Sequence, residues 1–279
     1  MSYKYLLEIG TEELPSNQIE SALSQLKDKT KDMLKEERVG YENLEVYATP
    51  RRLVLLIDGL NERQDTLEDT IKGPAKRIAY DDEGQPTKAL QGFMRGQNIG
   101  PEQIHIREYN GEEYIYGSIV REGERTYNIL LQHMAQIIKS ITFPKTMKWG
   151  GKNLRFARPI RWLVSILNDE IVPLNLEGIQ GSNITRGHRF LGNSNIEIKS
   201  IDDYFNILKD NYVLVDQKKR KEIIKYSSER LVKEKGGNLL DDESLLDEIT
   251  NIVEYPTPAI GRIKEEYLGL PKDVIITPM

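Results

Sequence analysis

Cysteine is absent from this 279-residue sequence, and histidine occurs only three times. The absence of cysteine excludes disulfides, thiolate metal ligands and cysteine nucleophiles, and so few histidines make a zinc site an unexpected feature. No apolar run approaches the roughly 20 residues of a membrane helix, and residues 1–10 lack the pattern of a signal peptide. We therefore expect a cytoplasmic protein that binds no metal and no membrane.

The glycine-rich signatures of nucleotide-binding sites are missing as well. The triplet Gly150-Gly151-Lys152 lacks the upstream glycine of a phosphate-binding loop, and no G-x-G-x-x-G motif follows a predicted strand. The signatures of zinc peptidases and serine hydrolases are also absent. The sequence therefore contains no self-sufficient ATP site, and we expect no cofactor to be bound by this chain.

The charge is unevenly distributed along the chain. The composition, 30% charged and 38% hydrophobic, is that of a soluble globular protein, and the formal net charge is -5. Residues 143–192, which we call the basic segment, contain eight Lys and Arg but only three Asp and Glu. An acidic protein can still bind a polyanion through one such segment, because the local field governs the approach of phosphate groups.

The N-terminal pattern predicts a β-α-β-β unit. Residues 3–9 alternate as in a strand, and Pro15 is expected to open a helix that runs to about Arg38. Two strands are predicted over 44–48 and 53–57, the second apolar on both faces and therefore buried.

The rest of the chain predicts further helices and strands. Residues 62–85 are polar and rich in turn residues, which favours loops or a hairpin. Strands are predicted over 114–120, 171–176 and 196–198, and helices over 87–97, 130–141, 202–209, 217–235 and 245–253. Residues 160–167 fit either a helix or a buried strand. We expect an α+β fold with two packed mixed α/β subdomains, 1–142 and 143–279, the second richer in helix toward its end.

Two carboxylates stand beside the first predicted helix. Gly10 is expected to make a sharp turn there, and Glu12 and Glu13 follow it. The preferred interpretation is that they complement the helix dipole, and the alternative is a catalytic role.

Paired arginines, Arg51 and Arg52, enter the third predicted strand. Adjacent strand residues point to opposite faces, so we expect that the two side chains do not serve one site. One can then contact phosphate while the other pairs with a carboxylate of this protein.

The basic segment interleaves cations with aromatic residues, a mixture that suits RNA because cations meet phosphates and flat groups stack on bases. The candidate phosphate contacts are Lys145, Lys148, Arg158, Arg161, Arg186 and Arg189. The three aromatic residues Trp149, Trp162 and Phe190 are expected in the core rather than on an RNA surface.

Three other features of the sequence have simple structural interpretations. Arg186 and Arg189 are expected to project outward, with a structural ion pair as the alternative. His188 would suit a general base or a switch, but the sequence shows no partner for it. The run 218–221, Lys-Lys-Arg-Lys, is expected to be a solvated helix face.

Seven blocks of the sequence resemble the beta subunit of bacterial heterotetrameric glycyl-tRNA synthetase, in the same order and at matching spacing. They are LLEIGTEELP (6–15), ATPRRL (48–53), GPA (73–75), FPKTMKW (143–149), RPIRWL (158–163), TRGHRF (185–190) and VEYP (253–256). The resemblance spans nearly the whole chain.

The resemblance implies a heterotetramer of two alpha and two beta chains that catalyses ATP-dependent glycine–tRNA ligation. In this family the alpha subunit binds glycine and ATP with magnesium, and the beta subunit handles tRNA. Family beta chains are much longer, so a C-terminal helical and anticodon-binding region is expected to be missing here. By this resemblance the chain positions tRNA-Gly and is not catalytic alone. The alternatives are an alpha–beta assembly scaffold without RNA contact and a hydrolytic editing module that uses Glu12, Glu13 or His188.

Overall fold

A mixed sheet of seven strands forms the centre of the fold in the computed structural model, which describes residues 2–151, 153–271 and 274–275, without the side chain of Arg121. The helices are α1 (Ser16–Glu36), α2 (Lys76–Ala79), α3 (Lys88–Gln97), α4 (Thr126–Ser140), α5 (Tyr204–Asp210), α6 (Gln217–Glu234) and α7 (Glu243–Ile252). The strands are β1 (Ser2–Thr11), β2 (Asn43–Thr49), β3 (Arg52–Asn61), β4 (Leu67–Ala75), β5 (Ile104–Tyr109), β6 (Glu112–Arg121), β7 (Ile160–Leu167), β8 (Glu170–Ile171), β9 (Asn175–Leu176), β10 (Ile179–Ser182), β11 (Ile184–Thr185) and β12 (Ile196–Glu197).

Strand β1 occupies the middle of the central sheet, whose order is β2-β3-β1-β7-β10-β9 with β8 paired to β7. It runs antiparallel to β3 on one side and to β7 on the other. The register places Glu8 between Val54 and Val164, and Gly10 between Arg52 and Trp162. The end of β1 therefore brings together three segments that are distant in sequence.

The two faces of the central sheet are covered differently. On one face Tyr5, Leu7 and Ile9 pack against the apolar stripes of α1 and α4 in the main core. On the other face Leu6 joins a smaller core that includes α5 and the residues around it. Helices α6 and α7 pack against each other and against β2. Because alternate β1 residues face opposite ways, Glu8 lies on the side of this smaller core.

A separate unit of three antiparallel strands, β4-β6-β5, is inserted between β3 and α4. Its own small core contains Ala79, Leu90 and Ile115, with helices α2 and α3 on one face of its sheet. The prediction of loops over 62–85 is therefore wrong in part, since β4 and α2 lie there. Strand β4 is an exposed edge strand, where Gly73-Pro74 is tolerated although it resembles a turn signal.

The α+β class and the N-terminal β-α-β-β unit are confirmed. The ambiguous residues 160–167 form a strand, β7, and the single strand predicted over 171–176 is replaced by β8 and β9. The division near Phe143-Pro144 stays a prediction, and strands from both sides of it, β1 and β7, are neighbours in the central sheet. None of the helices in the described ranges is long and apolar enough to cross a membrane.

Candidate functional site

The candidate site is a group of polar and charged side chains at the end of β1, and the fully buried carboxylate of Glu8 lies at its centre. Its oxygens accept hydrogen bonds from Trp162 Nε1 at 2.6 Å, from Thr185 Oγ1 at 2.8 Å and from Tyr204 Oη at 2.5 Å. Burial, and then the charge of Glu8, raise the pKa of Tyr204 well above its ordinary value. Tyr204 is therefore held as a neutral donor to the carboxylate.

Arg52 is also fully buried and bridges two carboxylates. Its Nη1 lies 3.7 Å from Glu8 Oε1, and its Nη2 lies 3.1 Å from Glu254 Oε1, although the latter contact lacks hydrogen-bond geometry. Nη1 also donates to the carbonyl oxygen of Arg186 at 3.0 Å. Burial by itself lowers the pKa of Arg52, but Glu254 and Glu8 outweigh it and leave that pKa raised. The guanidinium is therefore a buried, paired cation.

Arg51 reaches the same carboxylate as Arg52, with Nη1 3.8 Å from Glu254 Oε2. The prediction that the two arginines do not serve one site is therefore wrong. Pro50 and Arg51 form the two-residue turn between β2 and β3, so Arg51 precedes the strand and escapes the alternation of strand side chains. Thr49 completes this group, because its hydroxyl donates to Glu254 Oε1 at 2.7 Å.

Three guanidiniums surround the buried indole of Trp162. The Cζ atoms of Arg186, Arg51 and Arg52 lie 4.9, 5.6 and 5.7 Å from the ring centroid, within the range of cation–π contacts. The indole lies directly over Gly10, where an added Cβ would be 1.9 Å from Trp162 Cε2. Gly10 thus lies within β1 and makes room for the indole, so its predicted role in a sharp turn is wrong.

The two acidic residues after β1 pair with two of the predicted phosphate contacts. Arg161 Nε lies 3.3 Å from Glu12 Oε1, and Arg189 contacts both Glu12 and Glu13, the latter at 2.8 Å. All of these side chains are at least one-third exposed. The structural ion pair that sequence analysis left open for Arg189 is present, and it joins the ends of β1 and β7 to the loop after β11.

The other predicted cations lie at separate places. Lys145 and Lys148 are exposed in the loop between α4 and β7, and Lys148 donates to Asn153 at 3.4 Å. Arg158 is half-buried just before β7 and donates to the carbonyl of Ala157. The structure therefore groups Arg161, Arg186 and Arg189 around the end of β1, while Lys145 and Lys148 lie apart from them in the loop between α4 and β7.

The aromatic residues of the basic segment differ in exposure. Trp162 is buried and Trp149 is partly buried against the main core, as predicted. Phe190 is 84% exposed, so the prediction of a core position is wrong for it. It lies in a tight turn in which His188 Nδ1 accepts from the backbone N–H groups of Phe190 and Leu191. Hydrogen bonds within the turn therefore fix the backbone at Phe190, while its ring is not held by burial.

Arg220 is a further buried cation that sequence analysis placed on a solvated face. Its guanidinium donates to four backbone carbonyls, which belong to Ala48, Leu214, Val215 and Thr250. Burial lowers its pKa to about 10, which leaves the group charged at neutral pH. The interpretation of the run 218–221 as a solvated face is therefore wrong for Arg220.

Sequence reasoning missed Glu8, Glu254 and Arg220 as members of the site. Glu8 and Glu254 lie inside blocks that carry the family resemblance. Each has apolar neighbours on both sides, so the sequence did not indicate that their carboxylates pair with Arg52. Among the residues that the structure describes, no group of three or more His, Asp or Glu is placed to hold a metal ion.

The family model described as glycyl-tRNA synthetase beta subunit matches residues 5–279. The chain belongs to this family. A protein of Clostridioides difficile (strain 630) named glycine–tRNA ligase beta subunit is 47% identical over 274 residues, 98% of this chain and 40% of that protein. Proteins of the same name from Limosilactobacillus reuteri (strain DSM 20016) and Desulforamulus reducens are each 44% identical over 279 residues, again 40% of their length.

The chain thus spans about 40% of the length of these glycyl-tRNA synthetase beta subunits. The resemblance in sequence blocks is confirmed by the family match over nearly the whole chain. The matched range includes Glu8, Arg52 and Glu254, so the buried network lies within the part of the chain that the family model describes.

Proposed function

We propose that this chain is a tRNA-handling part of a glycine–tRNA ligase beta subunit. In this account it holds tRNA-Gly so that the acceptor end reaches glycyl-adenylate on an alpha subunit, within a cytoplasmic tetramer of two alpha and two beta chains. ATP and magnesium bind at the alpha subunit. The contribution of the beta chain to rate is then orientation and effective concentration.

The observation that carries this proposal is a set of cations in the basic segment without a carboxylate partner among the described residues. Among them are Lys145, Lys148 and Arg186, of which the two lysines are exposed. A cation that is not neutralised within the protein attracts phosphate more strongly than one already paired. We therefore assign the first phosphate contacts to these three residues, with Arg158, Arg161 and Arg189 beside them.

Charge reversal on the exposed loop tests this assignment. The double variant Lys145→Glu/Lys148→Glu is expected to weaken tRNA-Gly binding and to flatten the slope of log K against log salt by about 1.4 to 1.8, the value of two phosphate contacts. Binding is measured by fluorescence anisotropy over a salt series.

The matched control is Lys88→Glu/Arg95→Glu, which makes the same change of charge on exposed residues of α3. It should leave the salt slope close to that of the wild type. A folded Lys145→Glu/Lys148→Glu variant with an unchanged slope would remove the loop from the tRNA surface.

A second candidate function is assembly with the alpha subunit, and the ion-pair group at the end of β1 favours it. Arg161 and Arg189 are already neutralised by Glu12 and Glu13, which suits a rigid protein-docking surface better than a phosphate contact. This candidate predicts that charge reversal at Arg161 releases the alpha subunit and leaves the tRNA affinity of the isolated chain unchanged.

The hydrolytic editing alternative has less support from the geometry. Its candidate bases are engaged, Glu12 and Glu13 by Arg189 and His188 Nδ1 by the backbone of its own turn. Deacylation of mischarged tRNA by the chain would be the measurement in its favour.

A further inference from the structure

A pocket of about 210 Å³ lies between the Pro50-Arg51 turn, the turn that carries Phe190 and the segment after α7. Its lining includes Glu13, Arg51, His188, Arg189, Phe190 and Glu254. The pocket lies beside the buried Glu8 network. The contacts of that network do not account for all the residues that line the pocket.

Arg51 lines this pocket with its hydrogen-bonding capacity unused. The residue is 8% exposed, and neither Nε nor Nη1 has a hydrogen-bond partner among the described residues. Its only ion pair there is the 3.8 Å contact with Glu254. A buried donor without an acceptor is costly, and a phosphate matches the fork of a guanidinium with two acceptors.

In the wider group around the pocket, guanidiniums outnumber carboxylates by one. Five guanidiniums meet around the end of β1, those of Arg51, Arg52, Arg161, Arg186 and Arg189, and four carboxylates face them, those of Glu8, Glu12, Glu13 and Glu254. Arg189 lines the pocket together with Arg51. The wider group therefore carries one excess positive charge, while in the lining itself Arg51 and Arg189 are matched in number by Glu13 and Glu254.

Phe190 adds a flat apolar surface to the lining of the pocket, and this residue is 84% exposed. Its turn is fixed by backbone hydrogen bonds from Gly187 to Asn193, from His188 to Asn211 and from Gly192 to His188. The backbone that carries the ring is thus preorganised, so stacking of a base has to order only the side-chain torsions of Phe190.

We propose that this pocket holds one unpaired nucleotide of RNA, with its phosphate at Arg51 and its base stacked on Phe190. A guanidinium without hydrogen-bond acceptors and an exposed aromatic ring lie within one pocket. This combination fits a nucleotide, because a nucleotide presents a phosphate and a base together. The inference rests on the proposed tRNA-handling function and adds a specific subsite to it.

Substitution of Phe190 tests the subsite because an exposed side chain contributes little to folding. Phe190→Ala is expected to weaken the binding of tRNA-Gly to this chain roughly 5- to 160-fold, the range for losing one stacked base. The salt slope should be unchanged, since no charge is removed. Phe190→Trp should bind as tightly as the wild type, because indole also stacks on a base.

The matched control is Tyr226→Ala, which removes a 67% exposed ring from α6. It should bind like the wild type, and thermal unfolding should show that all variants are folded. Arg51→Lys gives a second readout, since an ammonium cannot replace the fork, and it should weaken binding while the formal charge is kept.

The outcomes separate this inference from the proposed function. If the wild type binds tRNA-Gly and Phe190→Ala binds equally well, the nucleotide subsite is wrong while the proposed function stands. If the folded wild type does not bind tRNA at low salt, both are wrong. If Phe190→Ala loses the alpha subunit but keeps its tRNA affinity, the pocket receives a protein and the inference is overturned.

Discussion

At the scale of single residues, the candidate site depends on buried charged groups that stabilise one another. Glu8 and Arg52 are both fully buried, and each would be costly alone because a buried charge needs partners. Glu8 has three hydrogen-bond donors and Arg52 has two carboxylates. The network therefore fixes the end of β1 against β3, β7 and α5, which holds the exposed residues around it in place.

Gly10 is predicted to be essential for the packing of Trp162. The variant Gly10→Ala places a Cβ within 2.4 Å of three indole atoms, and the three guanidiniums around the ring leave it little room to move. We expect a loss of about 3 kcal/mol in the free energy of unfolding, at the upper end of the cost of overpacking. Urea denaturation measures it.

The control for this variant is Gly92→Ala in α3, where an added Cβ has no atom within 4 Å. Alanine there should stabilise the protein by about 0.5 to 1 kcal/mol because it favours the helix. A Gly10→Ala protein as stable as the wild type would show that the indole does not occupy this place.

Tyr204 is predicted to make the free energy of unfolding fall as the pH rises through the alkaline range. Its pKa in the folded protein is raised above the unfolded value, mainly by burial and then by Glu8. Above about pH 10 the unfolded chain loses this proton while the folded chain keeps it, so the free energy of unfolding falls as pH rises. Tyr204→Phe should make this fall less steep by up to about 1.4 kcal/mol per pH unit.

The measurement is urea denaturation between pH 9 and 11.5, with Tyr226→Phe as the control for removal of an exposed phenol. At neutral pH Tyr204→Phe should also be less stable by about 1.5 to 3 kcal/mol, because a hydrogen bond to a charged acceptor is lost. Equal slopes for Tyr204→Phe and the wild type would contradict a buried neutral phenol.

At the scale of elements, strongly periodic segments could be predicted and segments defined by distant partners could not. The apolar stripe of α1 and the alternation of β1 identify them without any tertiary information. Strand β7 is buried along most of its length, so its own sequence does not distinguish strand from helix, and pairing with β1 decides. Strand β4 is polar because it is an exposed edge, and its partner β6 lies some 45 residues away in sequence.

Arg220 is predicted to hold helices α6 and α7 against β2. It donates to carbonyls of β2, of the segment before α6 and of α7, so one side chain joins three elements. Arg220→Met should lower the free energy of unfolding by about 3 kcal/mol or more, since several buried carbonyls lose their donor. Its exposed neighbour in Lys218→Met should change the value by less than about 0.5 kcal/mol.

Urea denaturation of both variants compares them directly. A cost for Arg220→Met as small as that for Lys218→Met would mean that water replaces the guanidinium and that the carbonyls are not buried as described.

At the scale of the whole molecule, the candidate site is assembled from the ends of β1, β2 and β7, the loop after β11, α5 and the segment after α7. Sequence patterns marked most of these segments as distinctive, because each carries unusual charged or aromatic residues. They could not indicate that Glu8 meets Tyr204 or that Thr49 meets Glu254, since those contacts span about 200 residues. The family match indicates which chemistry to expect, and the geometry identifies the residues that form the candidate site.

The central proposal is that this chain, a member of the glycyl-tRNA synthetase beta subunit family, contains a surface for tRNA. The most direct measurement is the binding of the chain to tRNA-Gly over a salt series, with an unrelated tRNA as competitor. The account predicts binding that weakens steeply with salt, as expected when phosphates are contacted. The absence of binding at low salt by a folded chain would contradict it and would make the arginine clusters a scaffold.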